Sequence, residues 1–369
     1  MKKFVYILVF SMLFAGCNTI SQPDIAIAPA LTGPVSENTL NDSQPYNLDV
    51  QAVPPGQSIS SAANPNYDSA SLSMSNKTDF KSLYKIYLKN YGTINIFLKE
   101  NIVFLTAGTS ESISIKSMKQ LEINSAGSSK LLVNKDNPLP EDFAPQNLVN
   151  IDSGKVKLEY PELKLLPVTL KALYSMTGAA KKENVKGFII NSAYRSLTTQ
   201  KQIFDSNLSS FKKNSKTYEE AYAKTRQLVA LPGKSEHHTG LAADIFSVNG
   251  RHRNDFVSTK EQVWLNMNLQ KYGFIIRYPK DKTKETAAVF EPWHIRYVGI
   301  PLSTYMKEQN LCLEEFYARI FADDILEDSK SMFMGIKSTQ RVFTDEALVS
   351  KISLEKVNEK NALLTLKLG

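Results

Sequence analysis

Cysteine is scarce, with two in 369 residues. Two thiols cannot build a disulfide framework, so the fold must be held by an ordinary hydrophobic core. Tryptophan also numbers two and histidine four, so each histidine is informative. Gly and Pro number only 16 each, which excludes a collagen-like chain. At 42% hydrophobic and 22% charged, the chain is neither wholly disordered nor a multi-span membrane protein. A strong bias of charge is missing too: Lys+Arg 44 stand against Asp+Glu 37, a formal net of +7. Such an excess suits an anionic neighbourhood, but it is spread along the chain and reads as a solubility feature. The length allows one large domain or two modest ones.

Long apolar runs are missing as well, apart from one at the start. Met1-Lys2-Lys3, the run Phe4 to Ala15 and then Gly16-Cys17 make a charged region, a short apolar region and a small-residue cleavage site. The run is too short to span a bilayer as a helix. Phe14-Ala15-Gly16-Cys17 resembles a bacterial lipobox, in which the Cys is lipidated and becomes the new N-terminus; Phe14 stands where that pattern usually has Leu, Val or Ile. The resemblance implies an exported lipoprotein anchored through Cys17 to the extracytoplasmic face of the membrane. Without lipidation the protein is secreted. Cys312, between Leu311 and Leu313, then has no thiol partner and reads as a small buried hydrophobe.

Residues 18–78 are rich in Ser, Pro, Asn, Asp and Ala and read as a disordered tether. In 80–128 the runs Ile94 to Leu98 and Ile102 to Leu105 and the alternation Ile113-Ser114-Ile115 predict short strands. That segment is a small β-rich accessory module or an extension of the main domain. From 130 to 317 the pattern is dense. Leu166, Leu170, Leu173 and Met176 predict a helix within 162–182, and Phe188-Ile189-Ile190 a buried strand. Ser196 can cap a helix to about Leu208, while Thr217 to Glu220 and Ser258 to Glu261 are capping-box patterns. Asp244 to Val248, Phe274 to Tyr278 and Trp293 to Val298 read as strands. The short polar connection at 279–291 favours an antiparallel α+β sheet with flanking helices over a doubly wound parallel one. Residues 318–369 read as a charged C-terminal extension with weak strand and helix signals.

Two motifs carry chemistry: Ser235-Glu236-His237-His238-Thr239-Gly240-Leu241-Ala242-Ala243-Asp244 and Glu291-Pro292-Trp293-His294. A water-activating zinc site needs three nitrogen or oxygen ligands, one open position and a separate base. His237, Asp244 and His294 can supply the ligands, with small residues between the first two letting the backbone pass close to the ion. Pro292 holds Glu291 extended, so its carboxylate can enter the same cleft as the base. His238 points elsewhere on an extended chain, and His252, between two arginines, reads as surface. Arg195 follows a buried strand at the mouth of the sheet, where a guanidinium can meet a carboxylate or an oxyanion.

These motifs, of the form Ser-x-His-x-x-Gly-x-Ala-x-Asp and Glu-x-x-His, resemble those of the VanY-type D-alanyl-D-alanine carboxypeptidases. The likeness continues through Leu131 to Lys135, Ala193 to Ser196, Val229 to Gly233 and Arg277 to Pro279, as far as Glu315. It implies the hedgehog/D-Ala-D-Ala peptidase fold, Zn2+ held by His237, Asp244 and His294, and Glu291 as catalytic base. It also implies Arg195 stabilising the carbonyl or the substrate, with Gln200, Ser235 and Tyr278 contacting a terminal D-alanine. Ala193 departs from the Gly that many members carry beside that arginine. The expected function is removal of a C-terminal D-alanine from a peptidoglycan stem peptide. D,D-carboxypeptidase, L,D-carboxypeptidase and endopeptidase activities all stay open. The rival is a non-catalytic peptidoglycan-binding lipoprotein with a structural zinc, which the presence of Glu291 disfavours. No nucleic-acid role is expected, since no basic patch interleaved with aromatics is present.

Overall fold

The computed structural model describes residues 81–368, apart from 89–91, 100, 109–117, 126, 186, 250–252, 324 and 328–330. The lipobox at Cys17, the tether at 18–78, the alternation at Ile113 to Ile115 and His252 lie outside the described residues. The chain forms two compact units, one from Leu132 to Phe316 and one from the flanking stretches that end at Leu131 and begin at Tyr317. Among the described residues no helix is long and apolar enough to cross a membrane.

The first strands match the apolar runs. β1 (Lys81–Leu88), β2 (Gly92–Lys99) and β3 (Ile102–Ala107) form an antiparallel meander, followed by the short β4 (Lys119–Leu121). Ile94, Ile96, Val103 and Leu105 are fully buried.

The unit from Leu132 to Phe316 is the dense part of the sequence. Its sheet contains β5 (Lys157–Leu158), β6 (Phe188–Ser192), β7 (Ala242–Ser247), β8 (Phe274–Tyr278) and β9 (Glu291–Tyr297), in the order β8-β9-β7-β6-β5. All neighbours are antiparallel except β5 and β6, so the expected antiparallel sheet carries one parallel edge strand. Helix α1 (Pro167–Lys182) buries Leu170, Leu173 and Met176 against β6, β7 and β9, together with Trp264 and Leu265 of α4 (Lys260–Asn268). Helix α1 starts later than the periodicity suggests. Lys164 and Leu165 pair with Val149 and Asn150 as a two-stranded ribbon, and Pro167 then suits the first helical turn. Between β6 and β7, α2 (Leu197–Lys212) and α3 (Tyr218–Leu228) pack on each other around Phe204, Leu208 and Ala221.

The expected caps at Ser196 and Thr217 form: each side-chain oxygen accepts the amide three residues on. The third cap is shifted by one residue. Thr259, not Ser258, accepts the Gln262 amide, while the Ser258 hydroxyl donates to the Asp255 carbonyl at 2.9 Å and Glu261 turns inward to accept the Ser247 hydroxyl at 2.9 Å.

Helix α5 (Leu302–Glu308) and helix α6 (Leu313–Asp323) follow, and the boundary between the units falls inside α6. Beyond it lie β10 (Ile325–Glu327), β11 (Ser331–Lys337), β12 (Arg341–Thr344), β13 (Ile352–Lys356) and β14 (Asn361–Lys367). β12 pairs parallel with β3, Arg341 facing Ile102, and antiparallel with β4. One sheet therefore runs β1-β2-β3-β12-β4 and the other β10-β11-β14-β13. Met332, Met334, Ile336, Val342, Leu364 and Leu366 join Ile94, Ile96, Val103 and Leu105 in one core. The segments read separately at 80–128 and 318–369 are thus parts of a single β unit. Local patterning shows two strand-rich pieces but nothing that names Arg341 as the partner of Ile102, a contact between distant parts of the chain.

Gly335 marks where helix α6 approaches this unit's second sheet. A methyl group there would lie 2.8 Å from the Ile320 carbonyl oxygen and 2.8 Å from Phe321 Cδ1. Gly335→Ala should lower stability by about 1–3 kcal/mol, the usual cost of overpacking against backbone. A urea midpoint equal to that of the wild type would show that the helix moves aside freely.

Candidate metal centre and catalytic site

The site is built on the register of three strands. His294 on β9 stands directly opposite Asp244 on β7, and Asp244 in turn faces Ser192 on β6. Strand side chains alternate, so the apolar neighbours face the other way. Ile245, Trp293 and Ile295, each next to Asp244 or His294, belong to the core, and Trp293 also stacks on Phe246 at 5.8 Å with planes 8° apart. That packing holds Asp244 and His294 on the polar face.

His237 comes from a 3-10 turn, Glu236–Thr239, that precedes β7. The turn ends at Gly240 with φ +69°, and a methyl group there would meet Leu148 Cδ2 at 2.8 Å and the Leu166 nitrogen at 3.2 Å. Only glycine combines that conformation with that approach. The Leu166 amide donates to the Gly240 carbonyl at 3.0 Å, seating the turn against the start of α1.

His237, Asp244 and His294 are buried, and one ligand atom from each falls within 4.8 Å of the others. His237 Nε2 lies 3.4 Å from Asp244 Oδ2, and His294 Nδ1 lies 3.1 Å from Asp244 Oδ1. Tetrahedral Zn2+ with bonds near 2.0–2.1 Å separates its ligands by roughly 3.4 Å. His237 Nε2 and Asp244 Oδ1 are buried without a hydrogen-bond partner among the described residues, as donors awaiting a cation would be. The set of two imidazoles and one carboxylate suits zinc chemically.

The ring contacts also decide which nitrogens are offered. His237 Nδ1 is 2.6 Å from the Ala193 carbonyl, which requires Nδ1–H and leaves the Nε2 lone pair free. His294 presents Nδ1 to Asp244 and turns Nε2 to Glu236 Oε2, at 3.5 Å. The two rings meet edge to face at 4.9 Å.

Glu291 lies three residues before His294, a spacing that would put the two on opposite faces of a regular strand. Here the register slips. Ile276 pairs with Ile295, but Tyr278 already pairs with Glu291, so β9 carries two extra residues over that step. Glu291 Oε2 comes to 3.7 Å from His294 Nδ1, beside the three ligands but outside their group.

Arg195 lies beyond Asp244. Its Nε donates to Ser192 Oγ at 3.0 Å, one Nη to Gln200 Oε1 at 2.9 Å and the other to Asp244 Oδ2 at 3.2 Å. Gln200 is buried and donates to the Ala230 carbonyl at 2.7 Å, so it stands behind Arg195 as a brace. Ser235 is buried at the start of the 3-10 turn. Tyr278 places its ring 5.0 Å from that of His294. His238 is buried behind the ligands: its Nδ1 sits 2.7 Å from the Arg195 carbonyl, and its Nε2 accepts the Gly233 amide at 3.1 Å.

Burial and then Arg195 pull His237 down to about 4, favouring its neutral, ligating form. For His294 burial works the other way from its neighbours: the close carboxylates of Asp244 and Glu236 and the charge of Glu291 outweigh it and push the ring up to about 9. Burial opposes ionisation of Asp244, yet its histidine contacts hold it well below the usual carboxylate range. The space beside His294 Nδ1 is therefore one that favours positive charge.

Four buried or partly buried charges escaped the motif reading. Glu236 accepts from Arg277 Nε at 2.8 Å and from Arg296 at 2.6 Å, and Arg277 also forms a bidentate pair with Glu314. Arg277 and Arg296 each interrupt an apolar strand, and a charge placed there must find a buried partner. That was the available signal.

A family model described as VanY: D-alanyl-D-alanine carboxypeptidase matches residues 162–300. A D-alanyl-D-alanine carboxypeptidase of Enterococcus faecium is 31% identical over 274 residues, covering 69% of this chain and 80% of that protein. This chain belongs to the VanY D-alanyl-D-alanine carboxypeptidase family. Among solved structures, the vancomycin-resistance D,D-dipeptidase VanXYg, in complex with a D-Ala-D-Ala phosphinate analogue, shares 27% identity at a TM-score of 0.55. That match covers 68% of this chain and 99% of the other. The D,D-pentapeptidase VanY of a VanB-type resistance cassette, determined as a point mutant in complex with Zn(II), is 34% identical over 51% of this chain and 98% of its own, with a TM-score of 0.44. The match to the VanY family model contains all three candidate ligands, Glu291 and Arg195, so the VanY resemblance read from the motifs holds.

Metal content is the direct check on the geometry. The wild type should retain about one equivalent of zinc after dialysis, His237→Ala and Asp244→Ala well under half, and Tyr278→Phe the full amount. Full zinc in the His237 variant would mean that the ion sits elsewhere.

Proposed function

We propose that this chain is an exported, membrane-anchored zinc carboxypeptidase that removes a C-terminal D-alanine from peptidoglycan stem peptides. The observation that carries the reading is the placement of Glu291, within reach of the ligand cluster yet outside it. A structural zinc site is closed by its ligands and has no use for a neighbouring base, whereas a hydrolytic one keeps a position open. When bound, Zn2+ supplies a Lewis acid that acidifies water and polarises a carbonyl. His237, Asp244 and His294 would hold it.

The chain's own groups supply the rest. Glu291 takes a proton from the attacking water at its carboxylate as the new carbon–oxygen bond forms at the peptide carbonyl. It then delivers that proton to the departing amine nitrogen as the carbon–nitrogen bond breaks. Arg195, fixed by Ser192, Gln200 and Asp244, presents a preorganised positive charge to the developing oxyanion or to the substrate's terminal carboxylate. Tyr278, its ring 5.0 Å from that of His294, and Ser235, at the start of the 3-10 turn, would contact the substrate's terminal D-alanine. The D-Ala-D-Ala analogue bound by VanXYg supports a substrate ending in D-alanine. The anchor rests on the lipobox-like Phe14 to Cys17.

Glu291→Gln should retain zinc and lose roughly 10²–10⁴-fold in turnover, whereas His294→Ala should lose both. Tetrapeptide and pentapeptide stems, read by mass, separate L,D- from D,D-cleavage in the wild type. Hydrolysis undiminished in the Glu291 variant would remove the base assignment.

Anchoring has its own measurement. Bacterial cells fed an alkyne-tagged fatty acid should label the wild type and leave C17S unlabelled. Equal labelling of both would move the lipid to another residue.

A further inference from the structure

We infer that Glu236 is a positioning residue, which aims the His294 ring at the metal while Arg277 and Arg296 aim Glu236. The inference rests on the proposed metal centre and adds to it a carboxylate that is neither ligand nor base.

The asymmetry of Glu236 carries the argument. It is 1% exposed, and both guanidinium bonds fall on one oxygen: Oε1 accepts from Arg277 at 2.8 Å and from Arg296 at 2.6 Å. Oε2 accepts no hydrogen bond among the described residues, and neither does His294 Nε2 have a partner. These two unsatisfied buried atoms face each other at 3.5 Å. A carboxylate present only to neutralise two arginines would share both oxygens with them, as Glu314 does with Arg277. A shift of about half an ångström brings Oε2 and Nε2 to ordinary hydrogen-bond length. The bond then requires Nε2–H, so the lone pair of His294 is left on Nδ1, the atom beside Asp244 and Glu291.

The local chain explains why this residue is suited. Glu236 and His237 are consecutive in one 3-10 turn. The turn therefore supplies one ligand directly and the orientation of another through its neighbouring side chain. Arg277 extends the brace to Glu314, which also accepts from Asn134 at 3.0 Å. The turn, β8, β9 and the start of α6 are thus joined by buried charge pairs behind the ligands.

The test is zinc affinity, measured by competition with a chelator on the full chain. Glu236→Gln should raise the zinc dissociation constant about 10–100-fold, the usual effect of losing a ligand's outer partner. It should also change the visible spectrum of the Co2+-substituted protein, and at saturating zinc lower kcat with KM near the wild-type value. The single variant leaves two arginines against Glu314 alone and can fail to fold, so E236Q/R296M, which removes one charge of each sign, is measured beside it. Where both misfold, the wild type decides: with ¹¹³Cd bound and ¹⁵N-labelled histidine, the Nε2 proton of His294 should be shifted downfield and protected from exchange. Lowered melting temperature with wild-type zinc affinity and Co2+ spectrum would overturn the inference alone, as would a rapidly exchanging, unshifted Nε2 proton. Failure of the wild type to bind zinc would overturn this inference and the metal centre together.

Discussion

The site depends on one cross-strand pair, Asp244 opposite His294. Slipping either strand by a single residue would replace a ligand by an apolar side chain and send the ligand into the core. What prevents the slip is not on the polar face. Trp293, Ile295 and Ile245 pack together beneath it, in the core that also takes the buried side of α1. The apolar face of the sheet thereby dictates which atoms meet on the other. Arg195 and Glu236 are attached to this pair, the first through Asp244 and the second beside His294.

Electrostatics then accounts for the choice of occupant. Asp244 and Glu236 are charged and nearly inaccessible to water, an arrangement that costs several kcal/mol per ion unless partners are supplied. Arg277 and Arg296 compensate Glu236 from one side, with Glu314 completing the group. Asp244 is compensated in part by Arg195. The remaining negative character is concentrated beside His294 Nδ1, between Asp244 and Glu291, and this is where the ring gathers positive charge. A proton can occupy that place singly. A divalent cation fills it with more charge, and it also uses the unpaired Nε2 of His237, which a proton on His294 leaves unsatisfied.

Much of this was legible in the sequence because the chemistry is carried by residues with few other uses. Four histidines in the whole chain left little room for coincidence, and the small residues between His237 and Asp244 marked a close backbone approach. The strands around the site were legible because their apolar halves are continuous. The supporting charges were not, since a buried Arg277 is recognisable only together with Glu236 and Glu314, which stand far from it in the chain. The same holds for the contacts of Gln200, which the resemblance offers as a substrate contact: its bonds to Arg195 and to the Ala230 carbonyl join distant positions that no local pattern announces. Pairing between distant segments was hidden for the same reason. Nothing near Ile102 foretells Arg341, so the β unit looked like two separate pieces.

The position of Glu291 follows from an irregularity rather than from the pattern. A base must come close to the ligands without becoming one, and a regular strand cannot arrange that for residues three apart. The two extra residues carried by β9 opposite Ile276 and Tyr278 bring Glu291 round to the side of His294. Pro292 is compatible with this place because it lacks the amide that a regular ladder would have used, and bulges are where sheets accept proline. A ligand set can be anchored by good pairing, as Asp244 and His294 are. The proposed base beside it sits where the pairing is locally broken, and the sequence Glu-Pro-Trp-His provides both within four residues.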